Sequence, residues 1–578
     1  MRPLLLLLAA CGPPSAADLA STQGSRVDFF FNDPGSRLEN VWSPDAVDVM
    51  TDLIGQAGAT IDMAVMGFSH EPLIDALVAA DDEGVAIRMV GDAGHLSNTG
   101  YAAFRDEHIP LVAGNGQHIM HDKFMILDDR LVFGGTANWS DSDLQQNANN
   151  SFVIDSPPIA ADFRAEHQQM FDGVFGANKV ELDNGRVYQV DDTEIEVWFS
   201  PNEDAMGRIL ELVEAAQESI RFTIFAFTKD QLGSALIEKQ AEFDELNAAA
   251  DLADDGGPFG GRHTVAGVID QSQLHSNGQY HEVYRLLGAG IPVRMDPNDA
   301  STLPGDYQAG GGRLHAKTMV IDAQGADPVI ITGSFNWSAS ATQSNDEFMI
   351  VFKGPRGALL YDAYFDNLWS EARQLGGDRI GDETGLQAGD VVINEVMWYG
   401  VTDVDLDGFD EFIELENRTD RRIDLDLWQI VNSDDVVVGF PPGSFIPPHG
   451  YFTIVDHTLE PYVDGQPQDQ TTAYASGDLV LNPFNDNRQS RLYIKDTAFE
   501  LILQDPDANE IDHAGNGGPP FAGGPDPAGG VRSMERLSGT EDGRVPVSWR
   551  ACPASAGIGL VNPDYQPMIF ASPDVANP

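Results

Sequence analysis

Residues 121–128 read HDKFMILD, and residues 315–322 read HAKTMVID. Both have the form His-x-Lys, four residues, Asp. Side chains alternate across a β-strand, so in each copy the His and the Lys share one side. Phe124, Ile126 and their apolar neighbours fill the core around them. Asp128 falls at the polar strand end, where Asp-Asp-Arg starts a turn, and Asp322 is placed likewise.

The octapeptides belong to a longer internal repeat, and that repeat sets the architecture. Residues 42–69, WSPDAVDVMTDLIGQAGATIDMAVMGFS, correspond to residues 198–228, WFSPNEDAMGRILELVEAAQESIRFTIFAFT. Each reads as a Ser-Pro turn, an amphipathic helix and an apolar strand. A further helix and strand follow in both copies, then the His motif, then FGGTANWS (133–140) matched by TGSFNWS (332–338). Strands alternating with helices imply parallel or mixed sheets in α/β layers. We therefore expect two duplicated α/β halves, 26–188 and 189–385, with polar insertions near 241–262 and 297–312 read as surface excursions. From about residue 386 short alternating runs replace the helical periodicity (VVINEVMW, DEFIELENR, FELILQD). An all-β sandwich over 388–560 is expected there, with a tail at 561–578.

The 578 residues carry 33 Lys and Arg against 91 Asp and Glu, a formal net charge of -58. Such a field solubilises, and at low salt it repels DNA and anionic lipid. A polyanionic substrate then needs a local basic site or screening salt. The two cysteines, Cys11 and Cys552, exclude a disulfide framework and a thiolate metal cluster.

Each half offers an imidazole, an ammonium and an amide: His121, Lys123 and Asn138, then His315, Lys317 and Asn336. The asparagines follow Gly135 and Gly333, whose lack of a side chain permits close backbone approach to a ligand. A pseudo-twofold packing would face the two sets across one pocket. Two Lys and two Asn suit the non-bridging oxygens of a phosphodiester and the charge that develops in its transition state. One His can attack phosphorus while the other protonates the leaving oxygen. No metal is needed for this chemistry, because the protein supplies the positive charge itself.

With Gly135-Thr136-Ala137-Asn138 and Gly333-Ser334-Phe335-Asn336 behind them, the two HxKx4D motifs resemble the phospholipase D superfamily over roughly 30–375. The resemblance implies two duplicated halves packed around one active site and a two-step, metal-independent reaction through a phosphohistidine. It assigns His121 as nucleophile and His315 as general acid, then base. It also implies a carboxylate shortly after the Asn that orients a histidine; Glu347 matches this in the second half, and Ser151 stands at the Glu position in the first. Unequal partners suggest unequal histidine roles. Asp128 and Asp322 read as supporting residues. With both half-sites in one chain, a monomer suffices.

VVINEVMW (391–398), DEFIELENRTDRRIDLDLWQI (410–430) and VSWRACPASAGIGLVNP (546–562) resemble the lamin-tail domain, an immunoglobulin-like sandwich that implies binding or tethering. Trp428 and Trp549 read as core aromatics. Within it, DVDLDGFDEFIE (403–414) fits a calcium-loop template through Asp403, Asp405, Asp407 and Glu414, although DEFIEL reads as a strand. A structural calcium there and an acidic turn entering a strand are the two readings.

The start, MRPLLLLLAAC, reads as a targeting segment. Leu8-Ala9-Ala10-Cys11 resembles the bacterial lipoprotein signal, with Cys11 lipidated and 12–25 a flexible tether; the alternative is a cleaved signal peptide. Either exports the chain, as an outer-membrane or cell-surface lipoprotein or as a secreted or periplasmic protein. Four functions remain open: a phospholipase D acting on phospholipid headgroups, which the anchor and acidic surface favour slightly; an exported endonuclease on DNA or RNA; a transferase that makes lipid by transphosphatidylation; and a non-catalytic surface binding protein.

Overall fold

Apolar side chains at every second position layer the first part of the chain. In the computed structural model, Met1–Gln374 form one compact unit and Leu375–Pro578 another. The described residues are 26–32, 45–114, 116–182, 185–249, 263–277, 281–296 and 312–374, then 375–381, 384–399, 411–432, 436–440 and 444–457, with shorter stretches from 462 to 572.

The first half runs β1 (Arg26–Asn32), α1 (Ala46–Gln56), β2 (Thr60–Val65), α2 (Glu71–Asp82), β3 (Ala86–Gly91), α3 (Thr99–Asp106) and β4 (Leu111–Ala113). It continues through β5 (Lys123–Leu127), β6 (Leu131–Gly135), α4 (Asp141–Gln145), β7 (Asn149–Asp155) and α5 (Pro157–Phe171). Its seven strands lie in the order β1-β7-β6-β5-β2-β3-β4. β2, β3 and β4 are parallel because helices carry the chain back between them. The motif strand β5 runs antiparallel to β2.

The second half repeats the plan: β8 (Arg186–Val190), β9 (Thr193–Ser200), α6 (Ala205–Ala215), β10 (Ser219–Ile224), α7 (Asp230–Ala249), β11 (Thr264–Asp270), α8 (Gln271–Asn277), α9 (Val283–Gly288) and β12 (Val293–Asp296). Then come β13 (Lys317–Ile321), β14 (Val329–Gly333), α10 (Ala339–Gln343), β15 (Glu347–Lys353), α11 (Pro355–Glu371) and β16 (Arg373–Gln374). The nine strands are ordered β16-β12-β11-β10-β13-β14-β15-β9-β8, with β13 antiparallel to β10 as β5 is to β2.

Alternation along β5 divides the cores. Phe124 and Ile126 enter a cluster that also takes Phe348, Phe352, Val268 and Val320 from the second sheet, with α5 and α11 closing it. Met125 and Leu127 face a second cluster under α1, α2 and α3. The active-site strands of both sheets thus share one apolar core.

Three details differ from expectation. The second sheet opens at Arg186 rather than 189, because β8 pairs with β9. Leu375–Gly385 fall in the second unit, where the Gly377 and Asp378 N–H groups donate to the carbonyls of Asp426 and Asp424, each at 2.9 Å. The insertion placed near 241–262 begins as helix: α7 continues to Ala249 because Leu236, Gln240, Phe243 and Asn247 keep a buried face at helical spacing. Residues 250–262, the 297–311 part of the other excursion, and Cys11 with the 12–25 tether lie outside the described residues.

The second unit is all-β. A six-stranded sheet containing Val391–Met397, Phe412–Asn417 and Tyr451–His457 and a four-stranded sheet containing Gln429–Val431, Phe499–Gln504 and Glu510–Gly518 share one core. Trp428 and Trp549 are buried in it, and their Nε1 groups donate to Asp378 O (2.8 Å) and Gly543 O (2.9 Å). Asp403, Asp405 and Asp407 lie outside the described residues. Glu414 is fully buried in its strand, where it accepts from Asn394 Nδ2 at 2.7 Å.

Candidate active site

The two His motifs are exchanged between halves at the level of the backbone. His121 N–H donates to Asp346 O at 2.9 Å, and Asp346 N–H donates to Ile119 O at 3.1 Å. The mirror pair joins His315 N–H to Ala148 O at 2.9 Å and Ala148 N–H to Arg313 O at 2.8 Å. Each His is therefore clamped against the chain entering the last repeated strand of the other half, β15 or β7.

Side chains follow the same exchange. Nδ1 of His121 lies 2.6 Å from Glu347 Oε2. Nδ1 of His315 lies 3.3 Å from Asn149 Oδ1 and 3.3 Å from Asp143 Oδ1. A carboxylate and a carbonyl oxygen both accept, so each Nδ1 carries its hydrogen and Nε2 is left for a ligand. Glu347 thus sits where the sequence suggests, but against the His of the other copy. Its counterpart is Asn149, not Ser151. β7 and β15 start at Asn149 and Glu347, and counting without a gap from Asn138 and Asn336 reaches the same pair. Ser151 lies two residues further on, opposite Gly135 in the sheet.

The lysines lie beside their histidines, and each Nζ donates to the carbonyl of the His two residues before it at 2.5 Å. All four side chains are buried. Burial lowers the Lys123 pKa to about 8 and that of Lys317 to about 7. Burial also lowers His121, against the pull of Glu347, and sends His315 well below its ordinary 6.5 with Lys317 and Lys123 adding to the effect. Burial pushes the Glu347 carboxyl up, but His121 and Lys123 outweigh it and hold the group below its usual range. An anion entering here meets poorly solvated ammonium groups, and its charge would stabilise their protonated forms.

Asn138 lies on the turn between β6 and α4, where its Oδ1 accepts Gly67 N–H at 3.2 Å. Asn336 lies on the matching turn, and its Oδ1 is buried without a partner among the described residues. The glycines before them serve packing rather than ligand approach. A Cβ on Gly135 would meet Asn150 O at 2.3 Å, and one on Gly333, where φ is +132°, would meet Phe348 O at 2.4 Å. They let β6 and β14 close onto the strands that orient the histidines.

Asp128 and Asp322 hold loops. Both have positive φ, 52° and 51°. Asp128 accepts the N–H groups of Gly58, Ala59 and Thr60 at 2.7–2.9 Å. Asp322 accepts those of Gln217, Glu218 and Ser219 at 2.6–2.8 Å. Each carboxylate ties the end of a motif strand to the start of its neighbour, β2 or β10.

Sequence reasoning missed Asn149, Asp143 and Phe225. The ring of half-buried Phe225 is 4.7 Å from that of His315, and Lys317 Nζ lies 5.0 Å over it. Met66 is the matching residue of the first repeat.

Two nucleophile-grade imidazoles with Nδ1 blocked, two ammonium groups and two amides are the equipment for displacement at a tetrahedral anionic centre. The model of the "Cardiolipin synthase, PLD-like domain" family matches residues 50–171 and 209–369, and the Lamin Tail Domain matches 385–518. The chain is 26% identical over 132 residues to a mitochondrial cardiolipin hydrolase of Chlamydomonas reinhardtii, covering 22% of this chain and 59% of that protein. It is 23% identical over 234 residues to a phospholipase D of Rickettsia prowazekii, covering 39% of this chain and 95% of that one. The cardiolipin hydrolases are matched over about three fifths of their length or less. Among solved structures, phosphatidylserine synthase of Haemophilus influenzae aligns over 62% of this chain and 91% of its own, at 13% identity and a TM-score of 0.41. The first unit belongs to the phospholipase D superfamily, with two copies of its domain in one chain and a lamin tail domain behind them.

Proposed function

We propose that the chain is a phosphodiester hydrolase of phospholipase D type that removes phospholipid headgroups through a phosphohistidine. The crossed pairing of His121 with Glu347 and of His315 with Asn149 carries this reading. Glu347 keeps the Nδ1 proton of His121 in place and offsets the positive charge that grows on its ring, so Nε2 can attack phosphorus. As the Nε2–P bond forms, the ester P–O bond breaks and the leaving oxygen takes the Nε2 proton of His315. A water then loses a proton to His315 Nε2 as its oxygen attacks phosphorus, and the N–P electron pair returns to His121. Lys123, Lys317, Asn138 and Asn336 hold the non-bridging oxygens, and no step is assigned to a metal.

The headgroup assignment draws on the names of the relatives and on the net charge of -58, which disfavours a polyanionic nucleic acid more than a zwitterionic lipid. Phosphatidylcholine vesicles and plasmid DNA, assayed side by side across a salt series, test it. Choline release at low salt with intact DNA supports it; DNA cleavage without choline release replaces lipid by nucleic acid. We also propose export with a lipid on Cys11. Incorporation of labelled palmitate that Cys11→Ser abolishes supports this, and equal labelling of both proteins removes it.

A further inference from the structure

The two histidines differ in more than the residue that matches Glu347. On the His315 side the matching residue, Asn149, is neutral. Its orientation is fixed, because Asn149 Nδ2 donates to Asp143 O at 2.9 Å and Thr136 Oγ1 donates to Asn149 Oδ1 at 2.7 Å. Asn149 can therefore set the His315 tautomer, but it brings no charge. A carboxylate reaches the same ring from another element. Asp143, on α4, places Oδ1 3.3 Å from His315 Nδ1. At the corresponding point of the second repeat stands Ala341, which offers His121 no carboxylate.

The other groups around His315 cannot do this work. Lys317, Lys123, Arg313 and His121 all disfavour its protonation. Glu347 is bonded to His121. Asp270 is spent on Ser272, Gln273 N–H and Leu314 N–H. Asp143 itself is buried and wired in place: Asn147 Nδ2 donates to its Oδ1 at 2.6 Å, and Asn138 N–H donates to its Oδ2 at 3.2 Å.

We infer that Asp143 is a positioning residue that holds the protonated form of His315 for its acid step, while Asn149 holds the tautomer. This rests on the hydrolase reading above. The work done by one carboxylate at His121 is thus divided between two residues at His315, and the division separates the nucleophile from the acid. In the acid step the proton leaves Nε2 for the departing oxygen, while the Nδ1 hydrogen stays hydrogen-bonded to Asn149 Oδ1 and the Asp143 charge lies 3.3 Å from Nδ1.

The test uses Asp143→Asn in the full chain, which keeps the size of the side chain and removes its charge; the amide has one acceptor oxygen, so it keeps one of the two bonds from Asn147 Nδ2 and Asn138 N–H. Two substrates are compared: bis(p-nitrophenyl) phosphate, whose leaving group needs little protonation, and diphenyl phosphate, whose leaving group needs more. The expected result is a larger loss on diphenyl phosphate, on the order of tenfold beyond that on the nitrophenyl ester. The alkaline limb of kcat should move down by about one unit or more, the size of shift a contacting opposite charge gives. Asn149→Asp in the Asp143→Asn background returns a carboxylate to the ring and should restore both readouts in part. An Asp143→Asn enzyme with wild-type substrate ratio and pH profile overturns the role of Asp143, provided His315→Ala is inactive. If His315→Ala turns over like wild type, the hydrolase assignment of His315 falls instead.

Discussion

Glu347 lies 2.6 Å from Nδ1 of His121, although the two side chains come from opposite copies of the repeat. The motif histidine of the first half therefore takes its carboxylate from the second. Glu347→Gln keeps the size of the side chain and removes its charge. We expect kcat to fall by about 10²-fold or more with KM little changed, since the charge acts mainly as the ring becomes cationic. Steady-state kinetics on bis(p-nitrophenyl) phosphate check this; a change confined to KM would assign Glu347 to substrate binding.

Asp128 and Asp322 should act on stability and not on chemistry. Each satisfies three backbone N–H groups of a neighbouring turn. Asp322 is buried and Asp128 exposed, so water can replace the acceptor only at Asp128. Asp322→Ala should cost about 1–3 kcal/mol and Asp128→Ala less. Denaturant melts compare them, and folded protein of either variant should retain kcat.

Gly135→Ala and Gly333→Ala should both lower the melting temperature, because the added methyl meets a strand carbonyl at 2.3 or 2.4 Å. Gly333→Ala should be the worse, since its φ of +132° is costly for any residue with a Cβ. Thermal unfolding of the two variants ranks them.

The lysine pair makes both binding and stability depend on pH. Lys317 and Lys123 have pKa values of about 7 and about 8 in the folded chain, against an ordinary 10.5. Between the folded values and 10.5 the unfolded chain binds more protons, so these groups make stability rise with pH across that window. Substrate affinity should move the other way. As pH passes from 7 to 9 the free site loses positive charge, and KM for an anionic diester should rise. Lys317→Met should flatten the lower part of that rise; an unchanged KM profile would place the titration elsewhere.

Much of this was legible in the sequence because duplication repeats the same physical pattern twice. The octapeptides gave β5 and β13 through period-two alternation, and the G-[ST]-x-N turns gave Asn138 and Asn336. The exchange of partners was not legible, because His121 meets Glu347 through packing of two sheets and not through neighbouring sequence. NNSF resembles NDEF and so sets Ser151 against Glu347, whereas ungapped counting from the asparagine turns reaches Asn149. Asp143 is not legible as a site residue because α4 is a five-residue helix after a turn, where an Asp reads as capping. Phe225 and Phe222 look alike in an apolar strand, yet only Phe225 lies beyond the end of β10 at the site.

The most direct measurement is turnover of bis(p-nitrophenyl) phosphate in EDTA by the wild type, His121→Ala and His315→Ala. We expect wild-type turnover to survive chelation and both variants to fall to background. Wild-type turnover by His121→Ala would contradict the assignment of His121 as the attacking group, and with it the two-half site.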